Sequence, residues 1–270
     1  MTGRYLDLLA GIHERSRPRT YLEIGMRNGE SLALAKPETL VIGIDPLPTV
    51  WNKLNADVGL YFETSDDFFA ANDVPALLRG QPIDLAFIDG MHLFEYALRD
   101  FRNVERNASR DSVVMIHDCL PPSAEVATRN RETALWTGDT WKVICCLAEM
   151  RPELDIATVA VKASGLAIIR NLDPQNTVLF DRYDEAIERF QSLGFDHIDG
   201  RQDEMLHLVA NSPDVIERLI PPWPAPAGRG APAPKRYPLR WPVLRYQALR
   251  NAKLGARRAQ RALTRSGSSS

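Results

Sequence analysis

Hydrophobic and polar positions fall along the chain in blocks whose period changes. Residues 3–15 place Tyr5, Leu8, Leu9 and Ile12 at helical spacing, and Pro18 ends the pattern, which predicts an opening helix. Short apolar runs then alternate with helical stretches: Tyr21 to Ile24, Leu40 to Ile44, Leu60 to Phe62, Ile83 to Ile88 and Ser112 to Ile116. Runs this short, mostly apolar on both faces, are what parallel strands covered by helices look like. Two later runs, Asp155 to Val161 and Gly165 to Ile169, are separated only by Lys162, Ala163 and Ser164. That is too short for a helical crossover, so they must pair as an antiparallel hairpin. Thr140 to Met150 predicts a helix packed through Trp141, Val143, Ile144 and Leu147, and residues 178–193 and 213–220 predict two more. The expected architecture is α/β: a doubly wound, Rossmann-like, mostly parallel sheet of seven strands with an antiparallel last strand.

The pattern breaks at Pro221. Eight prolines fall between 221 and 242, which reads as an extended linker, and residues 243–270 form a weakly amphipathic basic segment. Leu244, Ala248, Ala252, Ala259 and Leu263 share one helical face there, opposite Arg250, Lys253, Arg257, Arg261 and Arg265. The formal net charge of −2 therefore hides an asymmetry, because residues 221–270 hold eleven Lys/Arg and no Asp or Glu. Such a tail could bind anionic lipid head groups, making the protein peripheral to a membrane, or stay solvated and disordered; nucleic acid is the less favoured partner. Three cysteines in no C-x-x-C spacing, no run of eighteen apolar residues and no secretory pattern at the N-terminus predict a cytoplasmic setting. Residues 1–220 are then the folded domain.

Candidate chemistry gathers where the strands end. Glu23-Ile24-Gly25-Met26-Arg27-Asn28-Gly29-Glu30-Ser31 follows the first strand and precedes a short helical segment, Ser31 to Ala35. Glycines placed so let the backbone turn sharply and a ligand approach closely, while the leading acid disfavours phosphate and favours a cationic, mononucleotide-like guest. Asp45 closes the second strand, where an acid conventionally accepts from the two ribose hydroxyls. Asp66, after the third strand, is either an acceptor for an adenine amino group or a helix N-cap.

This arrangement resembles the class I S-adenosylmethionine-dependent methyltransferases over roughly residues 18–172. The resemblance implies that the acid-x-Gly-x-x-x-Gly loop wraps the methionine part of the cofactor and that Asp45 holds its ribose. Glu23, Gly25, Gly29, Ser31, Asp45, Asp66 and Asp89 are the candidate cofactor residues. The strand ends Phe87-Ile88-Asp89-Gly90-Met91-His92 and Ile116-His117-Asp118 look like the small-molecule and sugar O-methyltransferase branch, which implies a small-molecule or glycan acceptor. Its metal-dependent members bind magnesium through positions that Asp89 and Asp118 match. His117 stands where an acid is usual, which leaves room for a softer metal or none.

Met91 can neither ligate magnesium nor take a proton, so the candidate bases are His92, with Asp89 orienting it, and His117. Both histidines could instead cap a strand end. Between the fifth strand and the hairpin, Trp136, Asp139 and Trp141 are candidate acceptor contacts, although Trp141 could pack inward and Asp139 could cap a helix. Two competing readings are an NAD-dependent oxidoreductase, which lacks the third glycine of the dinucleotide fingerprint, and a non-catalytic, degenerate methyltransferase-fold module presenting the basic tail.

Overall fold

A computed structural model of the chain describes residues 3–220 and Trp223. The opening helix is α1, Tyr5–Ser16, closed by Arg17 in the left-handed conformation. It is followed by β1, Thr20–Ile24, β2, Leu40–Ile44, and β3, Asp57–Tyr61. Helices α2, Ser65–Ala71, and α3, Val74–Leu77, lead to β4, Ile83–Ile88; α4, Phe94–Arg106, leads to β5, Ala108–His117. Helix α5, Trp141–Met150, precedes the hairpin of β6, Asp155–Val159, and β7, Leu166–Arg170. Helices α6, Val178–Asp181, α7, Tyr183–Phe190, and α8, Gln202–Met205, a short β8, Leu208–Val209, and α9, Pro213–Leu219, complete the described chain.

The strands lie in the order β3-β2-β1-β4-β5-β7-β6-β8. Strands β1 to β5 are mutually parallel, and β7 runs antiparallel between β5 and β6. The predicted hairpin is therefore present, and its inner strand is the antiparallel member of the sheet. The eighth strand, two residues parallel to β6, was too short to leave a pattern. Helices cover both faces as expected. One face carries Phe68, Phe94, Phe101, Trp141 and Ile144, and the other carries Leu8, Leu9, Ile12, Leu32 and Ile216. Trp223 seals the second face, its N–H donating to the Ser16 carbonyl at 3.1 Å.

Three expectations needed correction. Strand β3 starts at Asp57 and β5 at Ala108, earlier than expected: β3 is only half-buried from Asp57 on, and Ser109, Arg110 and Asp111 interrupt the apolar run of β5 after the buried Ala108. The predicted helix over 178–193 is broken at Arg182 into α6 and α7. Ser31 to Ala35 forms only a 3-10 turn, Leu32–Leu34, since Ala35 is already extended two residues before Pro37. The proline-rich linker and the basic segment lie outside the described residues, Trp223 excepted.

One buried ion pair ties two helices of this frame together. Arg151 and Glu105, both almost fully buried, form a two-point ion pair at 2.6 and 2.9 Å that joins the C-terminus of α5 to α4. Removing one partner leaves the other charge buried without compensation. Arg151→Ala is therefore expected to lower the unfolding free energy by about 3–5 kcal/mol, read from urea denaturation of the full chain; a loss below 1 kcal/mol would show the pair to be dispensable.

Candidate active site

The parallel strands deliver their carboxyl ends to one edge of the sheet, spaced about 4.8 Å apart, and the predicted residues lie along it. Asp66 follows β3, Asp45 follows β2, Glu23 and Gly25 end β1, Asp89 and His92 follow β4, and His117 and Asp118 end β5.

The turn after β1 is held by close approach. Gly25 has φ +90°, and a Cβ there would run into the backbone carbonyl of Asp89, so the β1 and β4 strand ends meet only because position 25 has no side chain. Gly29, at φ +77°, donates its N–H to the Met26 carbonyl and faces Val50. Asp45 braces the same turn, accepting from the N–H of Arg27 at 2.8 Å and of Leu47 at 2.7 Å. Each of its oxygens keeps a further lone pair.

Glu23 is fully buried and accepts from Ser31 Oγ at 2.5 Å and Tyr21 Oη at 2.8 Å. Burial pushes its pKa up to about 8; the two hydroxyl donors oppose the shift, and the charges of Asp89 and Asp45 add to it. Ser31, itself buried, thus acts on Glu23.

Asp66 does not cap α2. Thr64 does, its hydroxyl accepting from the Asp67 N–H at 3.1 Å, while the Asp66 carboxylate is held by Arg99 through two bonds of 2.9 and 2.7 Å. The neighbouring Asp100 accepts from Ser65 Oγ. Arg99 and Asp100 thus clamp α2 to α4, and burial raises the Asp100 carboxyl to about 7.

Beyond Gly25 the two histidines and two aspartates form one cluster. His92 Nε2 lies 3.2 Å from Asp89 and its Nδ1 lies 2.8 Å from Asp118. His117 Nδ1 is 3.1 Å from Asp89, and its other nitrogen is buried without a partner in the described structure. Ser164, in the β6–β7 turn, donates to Asp118. Both His92 and Asp118 adopt positive φ, 55° and 60°, a strained conformation for these residues that fixes the direction of their side chains. Burial works against a charged His92, but Asp118 and Asp89 outweigh it and push its pKa up to about 10; His117 is raised as well. The two imidazoles hold the Asp89 carboxyl well below the usual range despite burial.

Ligand atoms of Asp89, His92 and Asp118 all lie within 4.8 Å of one another. The residues therefore fit a divalent cation, with His92 as a nitrogen ligand beside Asp89 and Asp118.

The loop before α5 closes over this cluster. Trp136 stacks on His92 at 5.3 Å and 13°, and its indole N–H donates to the Thr128 carbonyl. Gly138, at φ +60°, packs directly against the His92 carbonyl, which leaves no room for a Cβ. The other two candidate acceptor contacts are structural. Asp139 is buried, accepting from the Phe94 N–H at the start of α4 and from Arg129 and Lys142. Trp141 is 1% exposed and packs inward from the start of α5.

The family model described as a methyltransferase domain matches residues 22–119, the stretch from β1 to Cys119 that carries every residue of the turn and the cluster. That segment is similar to a methyltransferase domain. Among solved structures, the chain is similar to cofactor-bound Rv0187 from MTB, at 22% identity and a TM-score of 0.45, over 62% of this chain and 78% of that one. It is also similar to the O-methyltransferase TomG from Streptomyces achromogenes in complex with SAM, at 16% identity and a TM-score of 0.47, over 63% and 80% of the two chains. A third is an O-methyltransferase from Bacillus cereus in complex with SAH, at 15% identity and a TM-score of 0.44, over 61% and 79%. No curated protein matches the chain.

Three further residues border the candidate site without a sign in the sequence pattern: Tyr5, Ser164 and Gly138. Tyr5 had registered only as a helix position, and Ser164 only as a turn residue. Among the described residues no helix is long and apolar enough to cross a membrane, and the three cysteines are free and buried.

Glu23 supplies a test of this electrostatic picture. Its folded pKa is raised from an ordinary 4.5 to about 8, so the folded chain retains a proton that the unfolded chain has released. Its contribution to stability is full below about pH 4.5, falls as pH rises and is gone above about pH 8. Glu23→Gln is expected to flatten that part of the profile, so that melting temperatures of variant and parent diverge in the variant's favour from pH 5 to pH 9. Parallel curves would refute the burial argument.

Proposed function

We propose that this protein is a methyltransferase that takes its methyl group from S-adenosylmethionine and transfers it to a hydroxyl of a small-molecule or glycan acceptor in the cytoplasm, with residues 1–220 as the catalytic domain. The observation that carries this reading is the acid-lined turn after β1 lying directly against the Asp89–His92–Asp118 cluster. Bound S-adenosylmethionine supplies a methyl group activated by a sulfonium. Glu23, Gly25, Gly29 and Ser31 would surround its cationic methionine end, where a positive guest draws the buried Glu23 towards its charged form and the pyrophosphate of NAD is disfavoured. Asp45 uses its remaining lone pairs for the ribose hydroxyls. Asp66, committed to Arg99, is left to hold α2 in place.

The acceptor oxygen forms its bond to the methyl carbon as the carbon–sulfur bond breaks, the electron pair leaves on sulfur, and the hydroxyl proton passes to His92. Alone between two carboxylates His92 retains its own proton at neutral pH. A cationic donor beside it works against that charged form and returns the imidazole towards use as a base. Asp89 orients it, while His117 supports Asp89 from behind and is too enclosed to meet an acceptor. Trp136, stacked on His92, offers its outer face to the acceptor.

Asp89, His92 and Asp118 would hold a divalent cation, and two carboxylates with one imidazole suit manganese, iron or zinc better than magnesium. Such a cation would supply Lewis-acid activation of the acceptor hydroxyl in place of proton transfer to His92.

Isothermal titration of the full chain tests the donor assignment. S-adenosylhomocysteine is expected to bind and NAD not, with affinity falling at least about tenfold, or about 1.4 kcal/mol, in Asp45→Ala and staying at the parent value in His92→Ala. Binding of NAD alone would restore the oxidoreductase reading. In the same calorimeter, EDTA-stripped protein is expected to take up manganese or zinc but not magnesium, with the heat abolished in Asp118→Ala; uptake unchanged in that variant would remove the metal from this site. For the eleven basic residues after Pro221, a chain shortened at residue 225 is expected to lose retention on phosphatidylglycerol vesicles at low salt. Equal retention of both chains would exclude the membrane role.

A further inference from the structure

The N-terminal turn of α1 reaches the active site, and nothing in the chemistry above accounts for it. The chain before Tyr5 is fastened to the β6–β7 turn: the Lys162 N–H donates to the Gly3 carbonyl at 2.9 Å, and the Tyr5 N–H donates to the Lys162 carbonyl at 3.3 Å. Arg4 and Asp7 close the first helical turn reciprocally. This fastening places the Tyr5 ring over His117, with centroids 4.1 Å apart, and beside Phe87 at 6.0 Å. The same β6–β7 turn holds Asp118 through Ser164, so one hairpin supports both the cluster and the segment that covers it. Burial above all, and then the charges of Asp89, Glu23, Glu30 and Asp118, push the pKa of the Tyr5 hydroxyl up.

We propose that Tyr5 is a positioning residue whose ring walls the donor pocket on the α1 side, keeps His117 against Asp89, and sets how long the donor stays bound. This rests on the S-adenosylmethionine reading above. An aromatic ring suits the position because it covers the imidazole and excludes water while losing little rotamer freedom on ordering.

The test is dissociation of S-adenosylhomocysteine from the full chain, followed by stopped-flow displacement and paired with calorimetric affinity. Tyr5→Ala is expected to raise the off-rate and weaken the affinity by about tenfold, and Tyr5→Phe, which retains the ring, to behave as the parent. Ile12→Ala, a buried change on the same helix, is the stability control: it should lower the melting temperature and leave the off-rate unchanged. Parent-like dissociation in Tyr5→Ala, an equal loss in Tyr5→Phe, or an equal off-rate change in Ile12→Ala would each overturn the proposal. Absence of S-adenosylhomocysteine binding by the parent chain would instead count against the donor assignment.

Discussion

Negative charge enclosed at one end of the sheet is the constraint around which the rest of this molecule is arranged. Glu23, Asp89 and Asp118 sit on neighbouring strand ends, wholly or largely out of water, and carboxylates so placed need protons, donors or cations. The chain meets the need differently at each. Glu23 holds a proton and two hydroxyl donors; Asp89 draws on two imidazoles; Asp118 draws on His92 and Ser164. A cation entering this arrangement would replace protons already held there.

The scaffold keeps these groups close at a cost in backbone freedom. Gly25 permits the crossing of two strand ends, and His92 and Asp118 accept left-handed conformations that carry strain of about 1–3 kcal/mol each. The strain is borne by surroundings that over-determine it: the Asp139 N–H bonds the His92 carbonyl, Gly138 packs on the same carbonyl, and the antiparallel β7 brings the Ser164 turn onto Asp118. Aromatic rings then close the two histidines from opposite sides, Tyr5 over His117 and Trp136 over His92. A site built this way keeps water from its charged groups, which strengthens the electrostatic interactions inside it.

The charge asymmetry of the chain fits the same logic. Residues 1–220 carry all 35 Asp and Glu and a smaller number of Lys and Arg, and eleven further basic residues follow Pro221 with no acid among them. Placed among the strand-end loops, those cations would compete with a cationic ligand for Glu23 and Asp89.

The alternation of short apolar runs with helical stretches was enough to determine a doubly wound sheet, and the three-residue gap at Lys162–Ser164 determined the antiparallel hairpin, because both depend on local period and chain length alone. The acid-x-Gly-x-x-x-Gly turn, Asp45, Asp89 and His92 were legible for a similar reason: parallel strands send their carboxyl ends to one edge, so position after a strand implies position in the site. Which polar groups face the ligand and which face one another was decided only by tertiary contact. Asp66 belongs to Arg99, Asp139 to the Phe94 N–H, and Trp141 to the core, since each meets a partner brought from 30 or more residues away or from the opposite layer. Tyr5 and Ser164 enter the site by the same route. Their neighbours along the chain carry no sign of it, because what places them is the packing of α1 and of the hairpin turn against strands that end at Asp89 and Asp118.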